Sequence, residues 1–152
     1  RRHTRLLTVT GVQTCALPIY ETPEGWVVTG YPWAEINTPA HKKFLAAYQA
    51  KWKDYPRLGS VVGYSTMYTV ANMIRKAGTV DTEKMIAAMK GLEMETPIGP
   101  IVWRPIDNQS TMGAYVGKLS KKNGKGTMVD WRFASGDLFM PPFEEVKALR
   151  KE

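Results

Sequence analysis

Helical and extended periodicities follow one another in a simple order along this chain: a short apolar run, three helical blocks, then a turn-rich stretch of alternating residues. Gly25-Trp26-Val27-Val28-Thr29-Gly30 is apolar and β-branched between glycines, which predicts a buried strand ended by Tyr31-Pro32-Trp33. Thr38-Pro39 then gives a hydroxyl N-cap with proline at the first helical position. Beyond it Phe44, Leu45, Tyr48, Trp52 and Tyr55 fall on one face, and Lys42, Lys43, Gln49, Lys51 and Lys53 on the other. An amphipathic helix docked on a sheet is expected, with Pro56 as its stop.

The loop Arg57-Leu58-Gly59-Ser60 leads to a second helical block, with Tyr64, Met67, Tyr68, Ala71 and Ile74 as its expected buried side and Gly78 at its end. So little polarity predicts packing on two sides. Asp81 caps a third helix that carries Met85, Ile86 and Met89 and closes at Gly91. Glu95-Thr96-Pro97-Ile98-Gly99-Pro100 is a turn returning the chain to period two, where Ile101 and Trp103 alternate with Val102 and Arg104 before the turn at 105–109. Residues 113–119 and 127–133 flank Lys121–Gly126, whose Asn123-Gly124 pair predicts a β-hairpin. A last short helix is expected from Pro141, with Glu144 and Glu145 near its start and Lys147, Arg150 and Lys151 near its end. The layout predicts a helical unit inserted between two passes of extended chain.

Length changes this picture little: 152 residues with 43% hydrophobic content suit one domain. No run approaches the roughly 20 apolar residues that a spanning helix needs. The formal charge of +7 would suggest a polyanionic partner. Three of the arginines, however, lie in residues 1–19, which hold no acid, and without them 18 basic residues face 14 acidic ones, a balance of +4. The single cysteine, Cys15, lies in the same segment, so no redox compartment can be read from the remainder. Residues 1–19 resemble the translation of a common sequencing-library adapter and its upstream primer. They are expected to be foreign, joined at Tyr20 to a truncated native sequence.

Candidate chemistry is sparse. His41 stands beside lysines in the first turn of a solvated helix and is expected at the surface, with no orienting partner or nucleophile to make it a base. No cysteine or histidine pair has metal-ligand spacing, and Asp107-Asn108-Gln109 lacks the glycine and distal glutamate of a calcium loop, so it is expected to be a turn. Gly124-Lys125-Gly126 precedes a strand instead of a helix, which makes it a hairpin tip and not a phosphate loop. Lys118, Lys121, Lys122 and Lys125 beside Trp131 and Phe133 are expected to form a solvated hairpin face, with the aromatics turned to the core. An enzyme is not expected.

From Glu24 to about Arg150 the chain resembles the C-terminal part of a periplasmic binding protein of the branched-chain amino acid ABC-transporter class. Four features carry the likeness in order: Glu24-Gly25-Trp26-Val27-Val28-Thr29 before a Tyr-Pro pair, the aromatic helix from Phe44 to Tyr55, Gly63-Tyr64-Ser65-Thr66-Met67-Tyr68, and Thr96-Pro97-Ile98-Gly99-Pro100-Ile101. The last is the most specific, and resembles that family's third inter-lobe crossover. The resemblance implies an α/β fold that is an incomplete type I periplasmic-binding-protein fold, with pieces of two Rossmann-like lobes joined by hinge crossovers. Residues 20–31 would end the second lobe and cross over, 32–95 would be the helical part of the first lobe, 96–104 the return crossover strand, and 105–152 the closing hairpin and terminal helix of the second lobe.

The resemblance also implies hinge residues at Thr29, Gly30, Pro97, Gly99 and Pro100, and a ligand cleft lined by Gly59, Ser60, Tyr64 and Tyr31. For the whole protein it implies a monomeric, periplasmic solute receptor without cofactor or metal. It would hold a branched-chain amino acid or similar small amphiphilic solute, serve ABC permease subunits in the membrane, and have no business with nucleic acid. A signal peptide and most of both sheets are expected upstream of these residues. Two other functions remain open from the residues alone: a ligand-sensing regulatory domain on the same fold, and a basic nucleic-acid-binding module. Neighbouring permease genes would favour transport, and heparin retention that survives removal of residues 1–19 would favour the last.

Overall fold

The computed structural model describes residues 23–122 and 125–150; the 1–19 segment and the Asn123-Gly124 tip lie outside the described residues. In order come β1 (Val27–Gly30), α1 (Pro39–Trp52), α2 (Leu58–Ala77), α3 (Thr82–Met89), β2 (Glu93–Thr96), β3 (Gly99–Val102), β4 (Ala114–Lys122), β5 (Lys125–Ala134), a 3-10 turn at Gly136–Leu138 and α4 (Phe143–Leu149). The helical block is indeed enclosed by extended chain. β4 and β5 form the expected antiparallel hairpin, and β1 pairs antiparallel with the free side of β4, so the sheet order is β1-β4-β5. The ladder advances two residues along β4 from Val116 to Lys118 but three along β5 from Arg132 to Val129. That β-bulge holds Asp130 at φ +50 and sets Gly117 against Trp131.

β1 is not the buried strand its composition predicts. Trp26 is 58% and Val27 70% exposed, and only Gly30 is buried. Its outer edge pairs with no strand among the described residues. Apolar, β-branched sequence makes a strand fit to be covered, but covering needs a second layer.

Helix ends follow local chemistry. Thr38 Oγ1 accepts from the His41 N–H at 3.3 Å with Pro39 beside it, and Asp81 accepts from the Lys84 N–H at 3.0 Å. α1 stops earlier than Pro56 requires: Lys53 turns left-handed at φ 56 and its N–H reaches the Gln49 carbonyl. α2 begins at Leu58, so Gly59 and Ser60 occupy its first turn instead of a loop, and it closes at Gly78 with φ +65. Its buried residues are Val61, Ser65 and Thr69, while Met67 is 67% exposed and Tyr64 and Tyr68 are also on the outside. The hydroxyls of Ser65 and Thr69 bond to carbonyls one turn back, those of Val61 and Ser65, both at 2.9 Å. Self-satisfied in this way, two small polar side chains can take the buried positions.

The stretch from Glu95 to Trp103 proves to be a hairpin. β2 and β3 pair from Glu93↔Val102 to Thr96↔Gly99, leaving Pro97-Ile98 as a two-residue turn. The Thr96 hydroxyl donates to the Gly99 carbonyl at 2.6 Å, and Gly99 sits at φ +118, which a side chain would strain. Thr96, Pro97 and Ile98 are buried. Ile98 joins Tyr31, Ile36, Phe44, Val61, Tyr115 and Met128 in one core, where the exit of β1, α1, α2, both hairpins and the first loop meet.

Candidate functional site

His41 is wholly buried, which corrects the expected surface position. The α1 stripe that enters the core is His41 and Phe44 with Tyr48 half-buried, whereas Trp52 at its far end and Tyr55 beyond it are exposed. His41 Nε2 lies 2.6 Å from the Tyr31 hydroxyl, the rings meeting edge to face at 5.6 Å. Burial holds the imidazole below its ordinary pKa, with the Ile36 main chain pulling weakly the other way. The Tyr31 phenol is pushed strongly upward by burial and then by Tyr115, so it keeps its proton.

Tyr31 is therefore a core residue, its hydroxyl committed to His41. Ser60 is similarly occupied: its Oγ accepts from the Arg57 N–H at 3.2 Å and donates to the Tyr48 hydroxyl at 3.3 Å. Tyr64 is 37% exposed, with Phe44 edge-on at 5.0 Å and Tyr68 stacked at 4.4 Å. The Tyr68 hydroxyl, and secondarily burial, push its phenol up to about 12. A chain of ring contacts runs Tyr31–His41–Phe44–Tyr64, so three of the four expected cleft residues converge on the α1–α2 contact. Gly59 is exposed in the same first turn of α2. Sequence reasoning missed His41, Phe44 and Tyr48 as the supports that hold the others.

Of the expected hinge residues, Thr29 and Gly30 are laddered to Val116 and Tyr115, and Pro97, Gly99 and Pro100 belong to the β2–β3 hairpin. Two hollows lie among the described residues. One of about 620 Å³ lies between Asn72, Arg75 and Lys76 of α2 and Leu92–Glu95. The other, of about 340 Å³, lies between Arg104, Thr111 and the Met140–Phe143 segment. Neither is lined by Tyr31, Gly59, Ser60 or Tyr64. In the second hollow Arg104 is buried: Nη1 donates to the Pro141 carbonyl at 2.9 Å, Nη2 lies 2.9 Å from Asp107 Oδ2, and the guanidinium covers the Phe143 ring at 4.8 Å. That clamp fixes α4. Asp107–Gln109 is a turn, with the Arg104 N–H donating to the Gln109 carbonyl. On the basic hairpin Lys118 pairs with Asp130 at 3.2 Å and Lys121 with Glu24 at 3.8 Å. Among the described residues no group of His, Cys, Asp and Glu side chains could hold a metal ion, and no helix is long and apolar enough to cross a membrane.

The family described as periplasmic binding protein matches residues 5–125, a range that starts inside the segment read above as adapter-derived. The leucine-, isoleucine-, valine-, threonine- and alanine-binding protein of Pseudomonas aeruginosa is 33% identical over 79 residues, which are 52% of this chain and 21% of that protein. Among solved structures, an ABC-type branched-chain amino acid transporter protein from Rhodopseudomonas palustris superposes with a TM-score of 0.70 at 26% identity, over 82% of this chain and 34% of its own. A solute-binding protein of an ABC transporter from another strain of that species, solved with 3,4-dihydroxybenzoic acid, gives 0.67 at 26%, over 83% and 34%. The chain thus spans about a fifth of the curated relative and about a third of the solved ones. These relatives are solute-binding proteins, not enzymes, and the α/β architecture is a partial type I fold. By a match that runs through most of its length, the chain belongs to the periplasmic binding protein family.

Proposed function

We propose that these residues are part of the periplasmic solute receptor of an ABC uptake transporter, a monomer that closes two lobes over a small amphiphilic solute and presents it to membrane permease subunits. The observation that carries this is the family match across residues 5–125. The α1–α2 contact supports it: Tyr64 offers a neutral phenol and aromatic face beside the exposed first turn of α2, on a scaffold held rigid by Phe44 and the Ser60–Tyr48 bond. Thr29, Gly30, Pro97, Gly99 and Pro100 would then be crossover residues, and the solute a branched-chain amino acid. No nucleic acid is involved in this reading.

A second solute class has its own support. One relative is solved with 3,4-dihydroxybenzoic acid, and the stacked Tyr64 and Tyr68 rings present a flat surface suited to an aromatic acid. Titration calorimetry on the complete gene product with leucine, valine and 3,4-dihydroxybenzoate separates the two. Saturable binding of an aliphatic amino acid supports the first class, and binding of the aromatic acid alone transfers the assignment to the second. Heat from none of these, nor from short amides or urea, counts against the receptor reading.

A further inference from the structure

The least explained group in the molecule is His41, a fully buried titratable side chain with one nitrogen bonded and the other idle. We propose that the Tyr31–His41 pair is a proton-operated clasp that ties the end of β1 to α1 and opens when the imidazole takes up a second proton. The structural basis is the closed path between the two residues. β1 ends at Gly30, which is laddered to Tyr115. The chain then turns, with the Glu35 N–H donating to the Pro32 carbonyl at 2.9 Å, and enters α1 through the Thr38 cap, whose Oγ1 receives the His41 N–H. The side-chain bond at 2.6 Å closes this loop from strand to helix.

The clasp is built for the neutral imidazole. Tyr31 keeps its proton, so its O–H needs an acceptor, and the acceptor within reach is Nε2. The ring proton of the neutral imidazole is then on Nδ1, which is buried and makes no well-formed hydrogen bond, the Ile36 main chain being the group that pulls on the ring's proton. A second proton would have to occupy Nε2. It removes the lone pair that the Tyr31 O–H uses, so the contact persists only with Nε2–H donating to the phenol oxygen and the Tyr31 O–H losing its acceptor, and it places a positive charge on a side chain with no exposed surface. Of the influences on the imidazole, burial opposes that charge more than the Ile36 main chain favours it. The titratable group acting on Tyr31 is another phenol, Tyr115 of β4, and no charged side chain acts on His41 among the described residues. No ion pair among the described residues includes His41. Relief comes only from opening, which hydrates the ring and frees the segment at 31–41 from α1. On the receptor reading, on which this consequence rests, β1 and α1 belong to different lobes and the clasp sets their coupling.

The test is amide hydrogen exchange on the complete protein between pH 8 and pH 4.5, reported as protection factors for residues 30–42, with the imidazole followed by NMR. Protection should be constant above about pH 6.5 and then fall, by up to about tenfold per pH unit, until the folded imidazole itself titrates. His41→Gln, which cannot gain a charge, should remove the dependence. Tyr31→Phe, which keeps the ring and removes the acceptor's partner, should lower protection throughout and raise the imidazole midpoint. Flat protection in the wild type, a His41→Gln profile that copies the wild type, or a midpoint unmoved by Tyr31→Phe would each overturn the clasp. Should His41→Gln not fold, the Tyr31→Phe midpoint decides alone. None of these readouts needs a solute, so failure of the receptor reading leaves them intact and is detected separately by calorimetry.

Discussion

Gly117 stands so close to its cross-strand neighbours that a single methyl group is too much there. A Cβ at that position would lie 2.7 Å from Trp131 Cβ, inside the bulge, and 2.8 Å from the Val129 carbonyl, which the Lys118↔Val129 pairing holds in place. Gly117→Ala should cost about 1–3 kcal/mol, seen as a lower urea midpoint with an unchanged slope. His41 acts through charge instead. Its folded pKa is lowered by burial, so as pH falls the unfolded chain takes the proton first, and stability drops below about pH 6.5 towards the folded value while being constant above it. The difference in melting temperature between wild type and His41→Gln should therefore shrink on acidification from pH 8 to pH 5.5. His41 was partly legible in the sequence: it lies three residues before Phe44 and seven before Tyr48, on the same helical stripe. Lys42 and Lys43 suggested a solvated turn, but in a helix the neighbour in sequence points elsewhere and the neighbour at i+3 shares the face. Tyr31 gave no such signal, since its partner is ten residues away across a loop.

Elements defined by local rules are the ones the sequence reveals. The Thr38 and Asp81 caps, the Gly78 end and the long hairpin all depend on residues within a few positions of one another. The buried side of α2 depends on what lies opposite, and there the hydroxyls of Ser65 and Thr69, bonded within their own helix, defeated the rule that polar means outside. The same limit concealed α4's anchor. Arg104 spans Asp107, the Pro141 carbonyl and the Phe143 ring at once, a planar fork and stacking surface that an ammonium lacks. Arg104→Lys should thus release α4 in particular: hydrogen exchange at residues 143–149 should quicken by more than tenfold while the core around Phe44 and Val61 keeps its protection. Uniform loss across the molecule would mean that Arg104 supports the whole fold and not this one helix.

At the scale of the whole molecule, the organising fact is that β1 finds its partner in β4, beyond α1, α2, α3 and the β2–β3 hairpin. No periodicity encodes that pairing, and it was anticipated only as a helical unit between two extended passes, with the family likeness supplying the frame. The site has the same history. Tyr64 and Gly59 keep exposed surface, but the Tyr31 and Ser60 hydroxyls are committed to His41 and to Tyr48 and the Arg57 main chain. What is left is the exposed part of Tyr64 and the Gly59 turn. A small-molecule site normally encloses about 70–90% of its ligand, with several polar groups converging from different sides. One tyrosine phenol and a helix first turn cannot do this, and the two hollows elsewhere do not include these residues. The solved relatives are about three times the length of the matched part. The 152-residue chain alone should therefore give no calorimetric heat with leucine, valine or 3,4-dihydroxybenzoate, whereas the complete protein should bind one of them. In that setting Tyr64→Ala should weaken binding by more than Tyr64→Phe, because the ring face contributes as well as the hydroxyl. Saturable binding by the short chain would show that the α1–α2 face is sufficient, and the closing-clamp reading of this site would then have to be given up.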